Sequence, residues 1–227
     1  MNLKRVENYL GEEGILSTRL EGFEFRPQQV DMAAAVAESF GNAKHLIVEA
    51  GTGTGKSLAY LIPAILWAVE NNKKVVISTY TKTLQHQILN HDIPFLRDKL
   101  GIAFRYALCM GNENYLSLRR LKRSAQAGLF TKSDEENQWD GIFNWAEETE
   151  TGFRSDLPFE VLPQVWEEVG RQKDLCLGKS CETHSSCFYF KGRKKWFGAH
   201  LLIVNHHLFF ANVANAGAVL PAFDAVV

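Results

Sequence analysis

The sequence predicts an α/β protein: a parallel sheet with helices on both faces, interrupted by a mostly helical, cysteine-bearing insert. Three observations carry this. Short apolar runs at His45–Glu49, Val75–Thr79, Arg105–Cys109, Leu201–Val204 and Ala225–Val227 are spaced along the chain with helical stretches between them, the rhythm of parallel strands joined by crossovers. A loop of glycine and threonine, Ala50–Gly55, parts the first run from the helical pattern that opens at Lys56, so strand, loop, helix and strand make a βαβ unit. From residue 110 to residue 197 the chain turns charged and aromatic, and strand-like sequence returns only afterwards.

The elements follow in order. Pro27 suits the first turn of a helix, and Val30, Met32, Ala33, Ala34, Val36, Ala37 and Phe40 continue it at helical spacing. His45–Glu49 is short, apolar and β-branched and reads as a buried strand. From Lys56 to Glu70, Leu58, Leu61, Ile62, Ile65, Leu66 and Val69 recur at turn spacing, with Pro63 expected to bend the helix. Asn71–Lys74 turns into the strand Val75–Thr79, Thr83–Leu100 reads as a helix, and Arg105–Cys109 as a short strand. The expected organisation is a sheet domain from 1 to 109, an insert from 110 to 197, and a return to the sheet from 198 to 227.

Of the 227 residues, 46% are hydrophobic and 22% charged, which excludes disorder as the default. Twenty-five Lys and Arg against 26 Asp and Glu give a net charge of −1, so any nucleic-acid surface must be a local patch. Met1–Tyr9 is polar and lacks the apolar core of a signal peptide, and no apolar run reaches the ~18 residues of a membrane span, so a cytoplasmic protein without a membrane partner is expected. Four cysteines, three of them within Cys176–Cys187, are unlike a secreted disulfide scaffold and point to a metal.

Ala50-Gly51-Thr52-Gly53-Thr54-Gly55-Lys56-Ser57 fits G-x-x-x-x-G-K-[ST], with alanine at the first position. The glycines let successive backbone N–H groups turn into one concavity at the positive end of the following helix, a seat for phosphate oxygens. In that pattern Lys56 reaches the β and γ phosphates and the Ser57 hydroxyl ligates Mg²⁺. A phosphate loop does not by itself say what is done with ATP, because kinases, transporters and motors share it.

Further segments narrow the choice. Phe25-Arg26-Pro27-Gln28-Gln29, the loop Glu49–Ser57, Ser78-Thr79-Tyr80-Thr81-Lys82-Thr83-Leu84-Gln85 and Val204-Asn205-His206-His207-Leu208 occur in one order along the chain. Together they resemble the DinG/XPD-type superfamily 2 helicases. The resemblance implies a first RecA-like motor domain interrupted by an iron–sulfur domain, with ATP-dependent 5′ to 3′ DNA unwinding in repair or replication and single-stranded or forked DNA as the partner. It implies that Arg26 and Gln29 join the nucleotide site, Gln29 at the adenine edge, and that Thr79–Gln85 meets the DNA backbone. Without the resemblance, Thr79–Gln85 reads equally as a helix cap and turn. The adjacent histidines after the strand do not make a metal pair, since neighbours in a strand face opposite sides. The family's Asp-Glu-Ala-His motif would follow Pro221–Val227 and does not occur within the 227 residues. The resemblance therefore implies that this stretch alone has weak or no turnover and that a second RecA-like domain belongs to the working protein.

Cys176-x4-Cys181-x5-Cys187 has the spacing of the last three ligands of the family's [4Fe–4S] cluster, and its first ligand falls on Ser117. Thiolates are the soft donors such a cube needs. Ser117 supplies an oxygen or leaves an iron open, Cys109 substitutes for it, or the cluster is lost. Zinc held by Cys176, Cys181, His184 and Cys187 is the alternative metal. Around these positions lie Arg119, Arg120, Lys122 and Arg123, then Lys191, Arg193, Lys194 and Lys195 interleaved with Phe188, Tyr189, Phe190, Trp196 and Phe197. Basic side chains neutralise phosphates and aromatics stack unpaired bases, although the aromatics equally make a small core. The competing functions are another phosphate-loop ATPase and a non-catalytic DNA-binding module stapled by a metal.

Overall fold

The structure, a computed structural model, describes residues 3–127 and 133–227, so Met1 and Asn2 of the polar leading segment lie outside the described residues. Helices α1 (Leu3–Leu10), α2 (Ile15–Arg19), α3 (Pro27–Asn42) and α4 (Lys56–Asn71) precede strand β1 (Val75–Thr79). Helix α5 (Lys82–Gln87), a π-helical segment (Ile88–Asp92) and α6 (Ile93–Lys99) then run end to end towards β2 (Tyr106–Leu108). Helices α7 (Leu118–Ala127), α8 (Ser133–Glu148), α9 (Pro163–Val169) and α10 (Phe188–Gly198) stand between β2 and β3 (Leu201–Asn205), and α11 (His206–Ala214) and β4 (Ala225–Val226) follow. Two compact units result, residues 1–108 with 198–227, and residues 109–197. None of the helices among the described residues is long and apolar enough to cross a membrane.

The sheet of the first unit is parallel throughout, in the order β2-β3-β1-β4. Strands β1 and β3 pair from Val75↔Leu201 to Thr79↔Asn205 and are flanked on both edges. Helices flank the sheet, which explains why these strands are continuous apolar runs instead of alternating ones. Val75, Val76, Ile77 and Leu201–Val204 are all buried. The core of this unit joins Ile77, Leu201 and Ile203 to Ala33 and Ala37 of α3 and to Leu61, Ile62 and Ile65 of α4. Pro63 lies buried inside α4.

One element departs from the sequence reading. His45–Glu49 is no strand here, and Ile47 is 98% exposed. A parallel strand exists only through its hydrogen-bonded neighbour, and among the described residues no strand pairs with this run; the sheet edge nearest in topology, β4, has two residues and bonds to β1. The predicted βαβ unit is therefore absent, and the parallel sheet comes from β1, β2, β3 and β4.

The turn before β1 is tied to the approach to β4. Asp224 accepts from Lys73 Nζ at 2.7 Å and from the Lys74 backbone N–H at 2.9 Å. The Lys73 contact, chiefly, holds the Asp224 carboxyl below its ordinary range. A depressed carboxyl stabilises the fold above its unfolded value, about 3.9, and that contribution is lost as pH falls through the lower folded value. For this partly exposed pair the loss is about 1 kcal/mol or less. Chemical unfolding followed from pH 6 downward should lose stability below roughly pH 4, and Asp224→Asn should flatten that slope; an unchanged slope would exclude this contact as its source.

The second unit is built on aromatic contacts with few regular pairings. Tyr115 bridges to Phe153 and Leu116 to Gly170, and the Tyr115 ring meets Phe153 at 4.9 Å and Tyr189 at 5.3 Å. Burial raises the Tyr115 hydroxyl well above the usual phenol range.

Candidate functional site

In the first unit the site forms where the exposed loop Ala50–Gly55 meets the start of α4. Gly53 and Gly55 have φ of 79° and 74°, left-handed values that glycine adopts without strain. At Gly55 a Cβ would also lie 2.0 Å from the Gln29 amide nitrogen. Gly55 caps the 16-residue helix α4 with no side-chain hydrogen bond to its first turn, leaving backbone donors and the positive helix end facing the loop. Lys56 Nζ donates to the carbonyls of Ala50 at 2.9 Å and Gly51 at 2.6 Å, and Thr54 Oγ1 donates to Gly51 at 3.0 Å. These exposed contacts close the loop on itself, and a phosphate group can exchange for them.

Two residues from the start of α3 reach the same loop. The Arg26 guanidinium donates to the Gly53 carbonyl and pairs with Glu24 at 2.6 Å. Gln29 is 5% exposed, and its Nε2 donates to the Gly55 carbonyl at 2.9 Å. The structure thus gathers Arg26, Gln29, Ala50, Gly51, Gly53, Thr54, Gly55 and Lys56, with Thr52 in the exposed turn of the loop and Ser57 one residue along α4. Gln29 acts on the loop backbone here.

Beyond the pattern, Ser57 faces Tyr60 and Asp92. Burial pushes the Tyr60 hydroxyl up to about 12, opposed by its hydrogen bond with Ser57. Burial likewise raises the Asp92 carboxyl, opposed by hydrogen bonds from Gln87 and Ser57, and Asp92 Oδ2 is buried without a partner. Asp92 closes the π-helical segment. Such bulges collect at functional sites, but no sequence pattern marks this one.

At the ends of β1 and β3, Thr81 Oγ1 accepts from the Leu84 N–H at 3.2 Å and caps α5. Asn205 Oδ1 caps α11 in the same way at 2.8 Å. His206 and His207, which the sequence places just after the strand, therefore open a helix, and His206 Nδ1 meets Ser78 Oγ at 2.7 Å.

In the second unit, Ser117, Cys176, Cys181, His184 and Cys187 line one cavity together with Arg119, Arg120 and Arg171. Cys109 is buried and does not line it. Among the described residues no disulfide forms, and no three His, Cys, Asp or Glu side chains gather closely enough to hold a metal ion. A zinc ion needs its ligands at about 2.3 Å from one centre, whereas a four-iron cube spreads its thiolates over separate irons. Cys176 Sγ accepts from the Gly178 N–H at 3.4 Å and Cys181 Sγ meets Thr183 Oγ1 at 3.3 Å. Ser117 Oγ accepts from the Arg120 N–H at 3.4 Å. Three thiol side chains and the Ser117 hydroxyl thus line one cavity together with three arginines, a donor set of the kind a cluster spread over several irons needs.

The basic residues divide. Arg119 donates to the Leu175 carbonyl at 2.5 Å and Arg120 to the Glu168 carbonyl at 3.0 Å. Arg193 donates to Tyr189 Oη at 3.2 Å and lies over Trp196 at 5.5 Å. Lys122, Arg123, Lys191, Lys194 and Lys195 stay exposed. Phe188 and Trp196 are core, while Phe197 is 63% exposed. Sequence reasoning missed Asp92 and Arg171.

A parallel sheet with a glycine loop opening a helix defines a phosphate-loop α/β protein. Residues 26–136 match the DEAD/DEAH box helicase family model. The chain is 34% identical to the ATP-dependent DNA helicase YoaA of Haemophilus influenzae over 98% of its length and 35% of that relative. It is 37% identical to the ATP-dependent helicase DinG of Mycobacterium tuberculosis over 89% of its length and 33% of that relative. It is 31% identical to the 3′-5′ exonuclease DinG of Bacillus subtilis over 93% of its length and 23% of that relative. The chain is thus similar to DinG-type DEAD/DEAH box helicases over nearly all of its own length, and it spans about a third of the length of the first two relatives.

Proposed function

We propose that this chain is the nucleotide-binding part of an ATP-dependent DNA helicase, carrying a cluster-stapled second unit. The observation that carries the reading is the loop at the start of α4, where the Lys56 ammonium and the uncapped first turn face the same concavity. There Lys56 neutralises the β and γ phosphates of ATP, backbone N–H groups of Gly51–Lys56 hold their oxygens, and Ser57 ligates Mg²⁺. Arg26 and Gln29 brace the loop from α3, so that nucleotide binding bears on the helix pair. Unwinding in the 5′ to 3′ direction and a second RecA-like domain are the parts of this reading that the family supplies. The test is titration of the purified 227-residue chain with ADP and ATP, with and without magnesium. Micromolar, magnesium-dependent binding is expected, and its absence overturns the motor reading.

In the second unit the reading places a [4Fe–4S] cluster on Cys176, Cys181 and Cys187, with Ser117 at the fourth position. When bound, the cluster supplies a rigid crosslink to a unit with few regular pairings. Iron, sulfide and zinc analysis of anaerobically purified protein tests it; zinc alone, or no metal, overturns the cluster.

DNA is proposed to meet the exposed Lys122, Arg123, Lys191, Lys194 and Lys195. Single-strand affinity should fall steeply with salt, and Lys194→Ala with Lys195→Ala should reduce the slope of log K against log salt by about 1–2. An unchanged slope removes these two from the contact.

A further inference from the structure

We propose that Arg171 is the buried counter-charge of the cysteine cavity, donating from its guanidinium to the sulfurs of the anionic cluster held there; this rests on the cluster reading above. Arg171 is 9% exposed, and its Nε and Nη1 are buried with no hydrogen-bond partner. A buried cation in that condition is destabilising unless an anion meets it. Arg171 is one of the residues that line the cavity shared by Cys176, Cys181, Cys187 and Ser117.

The backbone and ring contacts fix its position. The Arg171 N–H donates to the Tyr115 carbonyl at 2.7 Å, and its guanidinium lies 3.8 Å from the centre of the Tyr189 ring. A guanidinium with one face against a ring keeps its edge donors for an acceptor in the same plane. The other two arginines of the cavity are already engaged: Arg119 donates to the Leu175 carbonyl, and Arg120 to the carbonyls of Glu167 and Glu168. Of the three, Arg171 has buried donors that nothing meets.

Thiolates bound to an iron–sulfur core leave it with net negative charge, and both that charge and the hydrogen bonds to its sulfurs set its potential. Arg171 acts on both. It is a positioning and tuning residue, since the ligands are the thiolates. Removing its charge loosens the cluster and disfavours the reduced, more negative form.

The test compares the anaerobically reconstituted 227-residue chain with Arg171→Met and Arg171→Lys. The readouts are iron and sulfide per chain, visible absorption, the rate of cluster loss to a chelator and the midpoint potential, with circular dichroism reporting the fold. Arg171→Met is expected to lose its cluster about tenfold faster and to be about tenfold less favourable to reduce, a drop of ~59 mV for one electron. Arg171→Lys, which keeps the charge, is expected to fall between it and the native chain. If Arg171→Met holds the cluster as firmly at the same potential, the role of Arg171 is overturned while the cluster stands. If Arg171→Lys loses its cluster the full tenfold faster than the native chain at a potential lowered by the full ~59 mV, the charge argument is overturned, and this arm decides the matter even where the methionine variant fails to fold. If the native chain takes up zinc or no metal, the cluster reading fails and the proposal fails with it.

Discussion

Lys56→Ala weakens binding of magnesium–ATP by about 1.5–3 kcal/mol, roughly ten- to a hundredfold in Kd, the worth of hydrogen bonds to a charged group. In the protein alone the ammonium donates to the carbonyls of Ala50 and Gly51 in an exposed loop, contacts worth little to the fold, so thermal stability should move by less than about 0.5 kcal/mol. That split separates a phosphate-binding lysine from one that merely closes a turn. Lys56→Arg should rescue only part of the affinity, because a planar fork does not replace a compact ammonium between two phosphates. Isothermal titration calorimetry reads all three proteins; equal affinities for the native chain and Lys56→Ala would remove the lysine from the nucleotide site.

Trp196→Ala should destabilise the second unit by about 3–5 kcal/mol, the range for deleting a large buried aromatic. Trp196 is 1% exposed, its ring centre lies 6.3 Å from that of Tyr189, and the Arg193 guanidinium sits over it at 5.5 Å. A domain's whole stability is about 5–15 kcal/mol, so the loss should leave residues 109–197 open to protease while the first unit stays resistant. The neighbouring Phe197, 63% exposed on the same helix, is the control, with Phe197→Ala changing stability by less than about 0.5 kcal/mol. Similar proteolysis of both variants would show that α10 does not anchor this unit.

Much of the fold was legible because its signals are local. Strands β1 and β3 stood out as continuous apolar runs since both their faces are covered. Pro27 announced α3, and Thr79–Gln85 offered a helix cap that the structure assigns to Thr81, because a fixed φ and a side-chain acceptor each act within one turn. The reading of His45–Glu49 failed for a related reason: an apolar β-branched run looks the same whether or not a neighbouring strand pairs with it. His206 and His207 were placed just after the strand, but the side-chain cap from Asn205 that turns them into α11 is invisible to periodicity.

By itself the sequence determined the parallel α/β class, the glycine loop that opens a helix at Lys56 and Ser57, and the spacing of Cys176, Cys181 and Cys187, all properties of residue type at short range. Only the tertiary structure decided that Arg26 and Gln29 brace that loop, that Asp92 comes to face Ser57 through a π-helical segment, and that Ser117 shares a cavity with three cysteines 59 to 70 positions further on. It alone singled out Arg171, which in sequence is one arginine among many. Burial and the pairing of charges arise when distant segments pack, and nothing in a residue's neighbours along the chain records them.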